Sequence, residues 1–133
     1  MPLEEQRIGT LVKVCGVRST EQARRALDAG ADAVGVVLAA GSPRQVSPAE
    51  AREIASVAGK RAVLVFTGQD AIDPELLRTW PGALQIHGPR TDPGRRCILA
   101  GPIEADPRSE GWARPSARLI DAPKAGSGQA WAW

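Results

Sequence analysis

Aromatic and reactive side chains are scarce in this 133-residue chain, which has no tyrosine, one phenylalanine, one histidine and two cysteines. No apolar run reaches the ~18 residues that a membrane-spanning helix needs. The charges nearly balance, because 17 basic and 15 acidic residues leave a formal net charge of +2. The basic residues occur in scattered pairs without aromatic residues between them. We therefore expect neither a nucleic acid nor a membrane as a partner.

The two cysteines, Cys15 and Cys97, are predicted to be free thiols of a cytoplasmic protein. The N-terminal residues, MPLEEQRIGT, are polar and acidic, whereas a secretory signal is basic and then hydrophobic. Reducing compartments disfavour disulfides. With no CxxC motif and a single histidine, the sequence gives no support for a zinc site, and no cofactor is expected.

Two segments carry the residue types that begin and end helices. Ser19 is a candidate N-cap, and Gly30 is a candidate stop for the same helix. Ser47 and Glu50 have the spacing of a capping box, and Pro48 suits the first helical position between them. The second helix is predicted to continue to about residue 59.

Strand-like apolar runs alternate with these helices through a single expected domain, residues 1–133. A short third helix is predicted over 73–80, whereas the proline-containing connections 89–96 and 106–115 leave no room for full helices. Six strands are predicted over 11–17, 33–39, 62–66, 83–88, 97–100 and 117–121. A βαβα order with right-handed crossovers gives a parallel sheet with helices outside, so the fold class is α/β.

Cys15 and Asp121 stand at the ends of the first and last predicted strands. The carboxyl ends of parallel strands form the edge at which α/β folds build their sites. A thiol and a carboxyl that face each other there indicate a general base and a general acid. For Cys15 taken alone, the alternative is a buried small hydrophobic side chain.

Five short motifs follow one another along nearly the whole chain: KVCG at 13–16, AGADAVG at 29–35, SPRQV at 42–46, LQIHG at 84–88 and LIDA at 119–122. In this order they resemble motifs of phosphoribosylanthranilate isomerase, the (β/α)8-barrel enzyme of tryptophan biosynthesis. The resemblance implies an α/β fold of the TIM-barrel type. It also implies an Amadori-type rearrangement, in which a phosphoribosylated amine changes from an aldose to a ketose.

The resemblance implies a role for each of the matching reactive residues. Cys15 would take the proton from the sugar C2 as the general base, and Asp121 would protonate the furanose ring oxygen as the general acid. Arg44 would bind the anthranilate carboxylate, because a guanidinium matches a carboxylate bidentately. The remaining candidates for substrate binding are Lys13, Gln85 and His87.

Simpler interpretations of some of these residues remain open. Arg44 follows a strand in a loop, where a solvated arginine is common, and His87 is also explained as a hydrogen-bonded residue at a strand end. Cys97 is predicted to lie in the core. Lys13 would favour the thiolate of Cys15 through its charge. Partial burial at a barrel mouth would keep Asp121 protonated.

The last residues depart from the family pattern. Where the family has a glycine-rich loop like GTGKTFDW, this chain reads GSGQAWAW at 126–133, and the family's last two βα units, with their phosphate-binding backbone amides, have no match. The segment 126–128 is either a backbone nest for an anion or a flexible loop. Trp131 and Trp133 are expected to cover a core edge or an interface.

We therefore expect an incomplete (β/α) TIM-like barrel of about six parallel strands with shortened later helices. Since six strands do not close an eight-stranded barrel, a homodimer mate or another partner is expected to cover the sheet edges. One functional hypothesis is a phosphoribosylanthranilate-isomerase-like enzyme, or a derived enzyme that acts on an aromatic carboxylate without the usual internal phosphate site. The other is a catalytically degenerate relative that binds a small molecule or a protein.

Overall fold

Three helices separate the first four strands in the computed structural model, which describes residues 9–88, 95–101 and 117–120. The strands are β1 (Lys13–Cys15), β2 (Ala33–Val37), β3 (Ala62–Thr67), β4 (Leu84–His87), β5 (Cys97–Gly101) and β6 (Ala117–Ile120). The helices are α1 (Thr20–Asp28), α2 (Pro48–Ala58) and α3 (Pro74–Thr79), and a 3₁₀ turn, Gly59–Arg61, follows α2. This order confirms the predicted α/β class.

The six strands form one parallel sheet in which the order β1-β2-β3-β4-β5-β6 follows the chain. The register aligns Cys15 with Gly35, Val65 with Gln85, and Thr67 with His87. A parallel sheet whose order follows the chain, with helices in the crossovers, is the wall of a (β/α) barrel. The prediction of an incomplete TIM-like barrel is therefore confirmed, and β1 and β6 are its two edges within the described residues.

The helices begin at the predicted caps. The Ser19 hydroxyl accepts the Gln22 N–H at 3.1 Å. The Ser47 hydroxyl accepts the Glu50 N–H at 3.1 Å, and the Glu50 carboxylate accepts the Ser47 N–H at 3.0 Å, which completes the capping box. Asp73 caps the short α3 through the Glu75 N–H at 3.0 Å. Each bond satisfies a backbone donor that helix geometry leaves without a partner.

The sheet buries apolar side chains on both faces. On the outer face, Val36, Leu64 and Ile86 join Ile54 of α2 and Leu76 of α3 in the larger core cluster. The inner face, which points away from the helices, carries a smaller cluster, to which Cys15 contributes a partly buried side chain. Its buried members are Ala33, Val37, Val63 and Val65.

The amino ends of the middle strands are joined by Trp80 and Arg95. The Trp80 Nε1–H donates to the carbonyl of Ala62 at 2.9 Å. The Arg95 guanidinium donates to the carbonyls of Leu77, Trp80 and Gly82 at 2.6, 2.7 and 2.6 Å. Burial lowers the pKa of Arg95 from its usual value. The three Arg95 bonds hold the residues just before β5 against α3 and the segment that follows it.

Several strands are shorter than the sequence predicts. The strand predicted over 11–17 is β1, Lys13–Cys15, because Gly16 leaves the extended conformation with a φ of +88°. The predictions for 106–115, 126–133, Asp121 and most of 89–96 fall outside the described residues. Among the described helices, none combines the length and the hydropathy that a membrane span requires.

Candidate active site

Four predicted site residues lie on the inner face of two strands. Lys13 and Cys15 alternate with the exposed Val14 along β1, and Cys15 packs against the inner cluster. On β4, Gln85 and His87 are in register with inner-face positions of β3. Since β2 and β3 lie between β1 and β4, the two pairs are separated by three strand spacings of about 4.8 Å each, measured along the curved sheet.

The thiol of Cys15 occupies a space left by a glycine on the neighbouring strand. Cys15 is the last residue of β1 and is half-buried, whereas Cys97 is fully buried in the outer core cluster. A Cβ placed on Gly35 would lie 2.6 Å from the Cys15 Sγ. The prediction that Cys97 belongs to the core is confirmed. Cys15, by contrast, keeps solvent access at the carboxyl edge of the sheet.

Arg44 reaches from the loop after β2 to the backbone of Cys15. Its Nη1 donates to the Cys15 carbonyl at 2.8 Å, and its own N–H donates to the Ser42 hydroxyl at 3.2 Å. The guanidinium passes over Gly16, where a Cβ would lie 2.5 Å from Cδ and from Nη1. Arg44 is exposed, as the simpler interpretation requires, but the contact holds it beside the thiol-bearing residue.

The first two loops at this edge are joined in both directions. While Arg44 of the second loop donates to the Cys15 carbonyl, Arg18 of the first loop donates to the Pro43 carbonyl at 3.5 Å. Within the second loop, the Gln45 side chain donates to the carbonyl of Leu38 at 3.3 Å. The loop after β1, which follows Cys15, and the loop after β2, which carries Arg44, are therefore held together by these bonds.

Asp70 organises the third loop and was not singled out by the sequence. Its carboxylate accepts the Thr67 N–H at 2.7 Å and the Thr67 hydroxyl at 2.8 Å. It also accepts the N–H of Ala40, in the second loop, at 3.2 Å. The available signal was an aspartate in the turn TGQD at 67–70, directly after a strand.

Gln85 and His87 form a side-chain pair on β4. The Gln85 Nε2 lies 3.0 Å from the His87 Nε2, and Gln85 is 2% exposed. The Gln85 Oε1 has no hydrogen-bond partner among the described residues. If the amide donates, the imidazole accepts at Nε2 and carries its proton on Nδ1. A buried amide oxygen without a partner is a candidate for contact with a ligand.

Lys13 and Asp121 complete the predicted set. Lys13 is half-buried and lies two residues before Cys15, about 7 Å away along the strand. No ion pair of Lys13 is found within the part of the chain that the structure describes. Asp121 follows β6 directly in the sequence but lies outside the described residues. The described residues also contain no group of three His, Cys, Asp or Glu side chains that would hold a metal ion.

Comparison with known proteins identifies the family. The family model of N-(5'-phosphoribosyl)anthranilate isomerase matches residues 12–133. The chain belongs to the phosphoribosylanthranilate isomerase family. This assignment confirms the resemblance carried by the five motifs.

Individual isomerases match over most of this chain and over a smaller part of their own length. The N-(5'-phosphoribosyl)anthranilate isomerase of Halorubrum lacusprofundi is 34% identical over 92% of this chain and 66% of its own. The crystal structure of the Thermus thermophilus isomerase superposes with a TM-score of 0.72 at 34% identity, covering 92% of this chain and 68% of that one. The chain thus spans about two thirds of the length of these relatives.

A further isomerase structure contains a ligand. It is a complex with reduced 1-(o-carboxyphenylamino)-1-deoxyribulose 5-phosphate, with a TM-score of 0.57 and 28% identity. The match covers 72% of this chain and 55% of that one. The ligand's name describes an aromatic carboxylate joined through an amine to a phosphorylated sugar.

Proposed function

We propose that this chain isomerises phosphoribosylanthranilate, or a related aromatic carboxylate, by general acid/base catalysis. The observation that carries the proposal is the 2.8 Å hydrogen bond from Arg44 Nη1 to the Cys15 carbonyl. It holds a guanidinium, which suits a carboxylate, next to a half-buried thiol at the carboxyl edge of the sheet. Membership of the isomerase family supports the same chemistry.

Arg44 binds the carboxylate of the aromatic ring. In the described structure its guanidinium uses one N–H for the Cys15 carbonyl, which leaves the other N–H groups for a ligand. Charge-assisted hydrogen bonds from arginine to a carboxylate are about twice as strong as neutral ones. The exposed position of Arg44 allows a substrate to reach these groups.

Cys15 and Asp121 move the two protons of the rearrangement. Asp121 protonates the ring oxygen, the bond from C1 to that oxygen breaks, and the amine nitrogen's electron pair forms a Schiff base. The Cys15 thiolate then removes the C2 proton, and the electrons of that C–H bond form the enamine, which tautomerises to the ketose. Lys13, two residues before Cys15 on the same strand face, contacts the substrate in this proposal.

Gln85 and His87 bind the sugar portion in this proposal. Both lie on the inner face of β4, and their side chains are 3.0 Å apart. The Gln85 Oε1 needs a hydrogen-bond donor, and a ribose hydroxyl supplies one. In the proposed complex the pair holds the sugar while C2 faces Cys15.

The role of the substrate's phosphate separates the parental reaction from a derived one. The chain spans 66% of the Halorubrum relative, and none of the residues named in this proposal binds phosphate. Turnover should therefore be measured with the phosphorylated substrate and with its dephosphorylated counterpart. Turnover of the phosphorylated form alone favours the parental reaction, and equal turnover of both favours the derived one.

We also propose that the protein self-associates through its first strand. Leu11, Val12 and Val14 are 39%, 50% and 40% exposed, and β1 is an edge of the described sheet. Exposed apolar residues at a sheet edge favour pairing with another surface. Native mass measurement of the unmodified protein and of a Val12→Glu, Val14→Glu variant tests this. A monomeric unmodified protein contradicts it.

Catalysis is tested with Cys15→Ala and Asp121→Asn, using Cys97→Ala as a thiol control from the core. Turnover of phosphoribosylanthranilate should fall at least ~10²-fold in both site variants, with binding of reduced 1-(o-carboxyphenylamino)-1-deoxyribulose 5-phosphate retained. Cys97→Ala should keep its activity. An unmodified protein that binds the analogue but produces no ketose would instead be a degenerate binding relative.

A further inference from the structure

Two glycines make the space in which the candidate base and the candidate carboxylate anchor lie. We infer that Gly35 positions the Cys15 thiol and that Gly16 positions the Arg44 guanidinium. The expected effects on kcat and KM rest on the proposed function. The positions of the two side chains do not, and they are testable without any substrate.

Gly35 is a glycine because of its neighbour's side chain. It lies in the buried strand β2 directly opposite Cys15, and a Cβ there would be 2.6 Å from Sγ and 3.1 Å from the Cys15 Cα. Contacts below 3.0 Å are essentially never made by a real Cβ. The backbone of Gly35 is ordinary strand, where glycine is less stable than other residues. The contact with Cys15, and not a turn, therefore accounts for this glycine.

Gly16 meets two separate requirements. Its φ of +88° is unfavourable for any residue with a Cβ. A Cβ there would also lie 2.5 Å from Cδ and Nη1 of Arg44 and 2.8 Å from Cζ. The bare backbone of Gly16 thus lets the guanidinium reach the Cys15 carbonyl.

A shared carbonyl links the two glycines. The N–H groups of Gly16 and Val17 both donate to the carbonyl of Gly35, at 2.9 and 3.1 Å. The turn at Gly16, over which the Arg44 guanidinium passes, is therefore hydrogen-bonded to Gly35, the strand residue opposite Cys15. These two hydrogen bonds fix the distance between the backbones of Gly16 and Gly35. On that backbone, Gly35 leaves space for the thiol, and Gly16 leaves space for the guanidinium.

The structural part is tested by thermal unfolding in paired backgrounds. Gly35→Ala should lower Tm in the unmodified chain, and most of that decrease should disappear when Cys15 is replaced by glycine. Gly16→Ala and Gly30→Ala both place a Cβ at positive φ, and Gly16→Ala also displaces the far end of the exposed Arg44 side chain, which moves at little cost in stability. Gly16 is therefore tested by substrate binding and not by Tm. Equal decreases for Gly35→Ala in both backgrounds would overturn the inference, whatever the protein's activity.

The positioning part is tested by thiol chemistry and kinetics. Because Cys97 is fully buried, alkylation of the folded protein by iodoacetamide reports on Cys15, and Gly35→Ala should change its rate several-fold, whereas Gly30→Ala should not. With substrate, Gly35→Ala should lower kcat by up to ~10²-fold, and Gly16→Ala should mainly raise KM. An unchanged alkylation rate in Gly35→Ala, or a matching kcat loss in Gly30→Ala, would overturn the inference.

Discussion

The Arg44 guanidinium donates to the carbonyl of Cys15 at 2.8 Å, so that the group suited to a carboxylate is bonded to the residue whose thiol is proposed to move a proton. The two residues are far apart in the sequence and belong to consecutive βα units of the sheet. Their contact depends on the parallel register of β1 and β2, which places Cys15 opposite Gly35. Substitution of Arg44 is therefore expected to affect substrate binding, and substitution of Cys15 is expected to affect proton transfer, although both residues lie at the same edge of the sheet.

Replacement of Arg44 should weaken substrate binding more than it slows the chemical step. Loss of charge-assisted hydrogen bonds worth about 1.5–3 kcal/mol corresponds to a rise in KM of roughly 10- to 100-fold in Arg44→Ala. Arg44→Lys should recover part of this, because it keeps the charge without the planar fork. Arg52→Ala, which removes an exposed ion pair with Asp73, is the control in the same steady-state assay. A KM unchanged by Arg44→Ala would contradict the anchor role.

Replacement of Gln85 should weaken substrate binding without destabilising the fold. The Gln85 Oε1 is buried without a partner among the described residues, so Gln85→Leu should change the free energy of unfolding by less than about 1 kcal/mol or increase it. The same variant should raise KM, since the proposed contact of Gln85 with the sugar is lost. Chemical denaturation and steady-state kinetics on one preparation measure both quantities. A large loss of stability with an unchanged KM would mean that the amide is structural.

Replacement of Arg95 should destabilise the fold without touching the site. Arg95→Met leaves three backbone carbonyls without their donor, and a loss of about 2–4 kcal/mol is expected in the free energy of unfolding. Arg78→Ala, which removes an exposed ion pair with Glu75, should cost much less. Urea denaturation of both variants provides the comparison. Equal losses would show that the three carbonyl contacts contribute little.

Acid should weaken the start of α2 through Glu50. Hydrogen bonds from Ser47, chiefly from its backbone N–H, hold the pKa of Glu50 below its usual value of 4.5. Because the folded pKa is the lower one, this contribution is present above the unfolded pKa and is lost as the pH falls through the folded value. Glu50→Gln should therefore flatten the pH dependence of Tm below about pH 4.5. Glu53→Gln, later in the same helix, serves as the control; identical profiles for the unmodified chain and Glu50→Gln would contradict the prediction.

The sequence predicts the elements well because its signals are local. The caps at Ser19 and Ser47 and the strands β2 and β3 are confirmed, and the family motifs identify Cys15 and Arg44 as candidates. Asp32, which belongs to the second motif, has a structural contact: its carboxylate accepts the Val12 N–H at 2.8 Å. A motif alone does not separate such a residue from a catalytic one.

The remaining features depend on distant backbone partners. Arg95 and Asp70 bond to carbonyls and N–H groups that only the folded chain brings near them. The reason for glycine at position 35 is a thiol on the neighbouring strand, which becomes visible only once the register is known. Contacts of this kind leave no periodic pattern in the sequence.

In the proposed reaction, the Cys15 thiolate removes the proton from the sugar C2. The most direct test supplies phosphoribosylanthranilate deuterated at C2 and follows release of the label together with ketose formation. The unmodified protein should release the label to solvent at the rate of turnover, and Cys15→Ala should slow release at least ~10²-fold. Release at the same rate by Cys15→Ala would contradict this role of the thiolate.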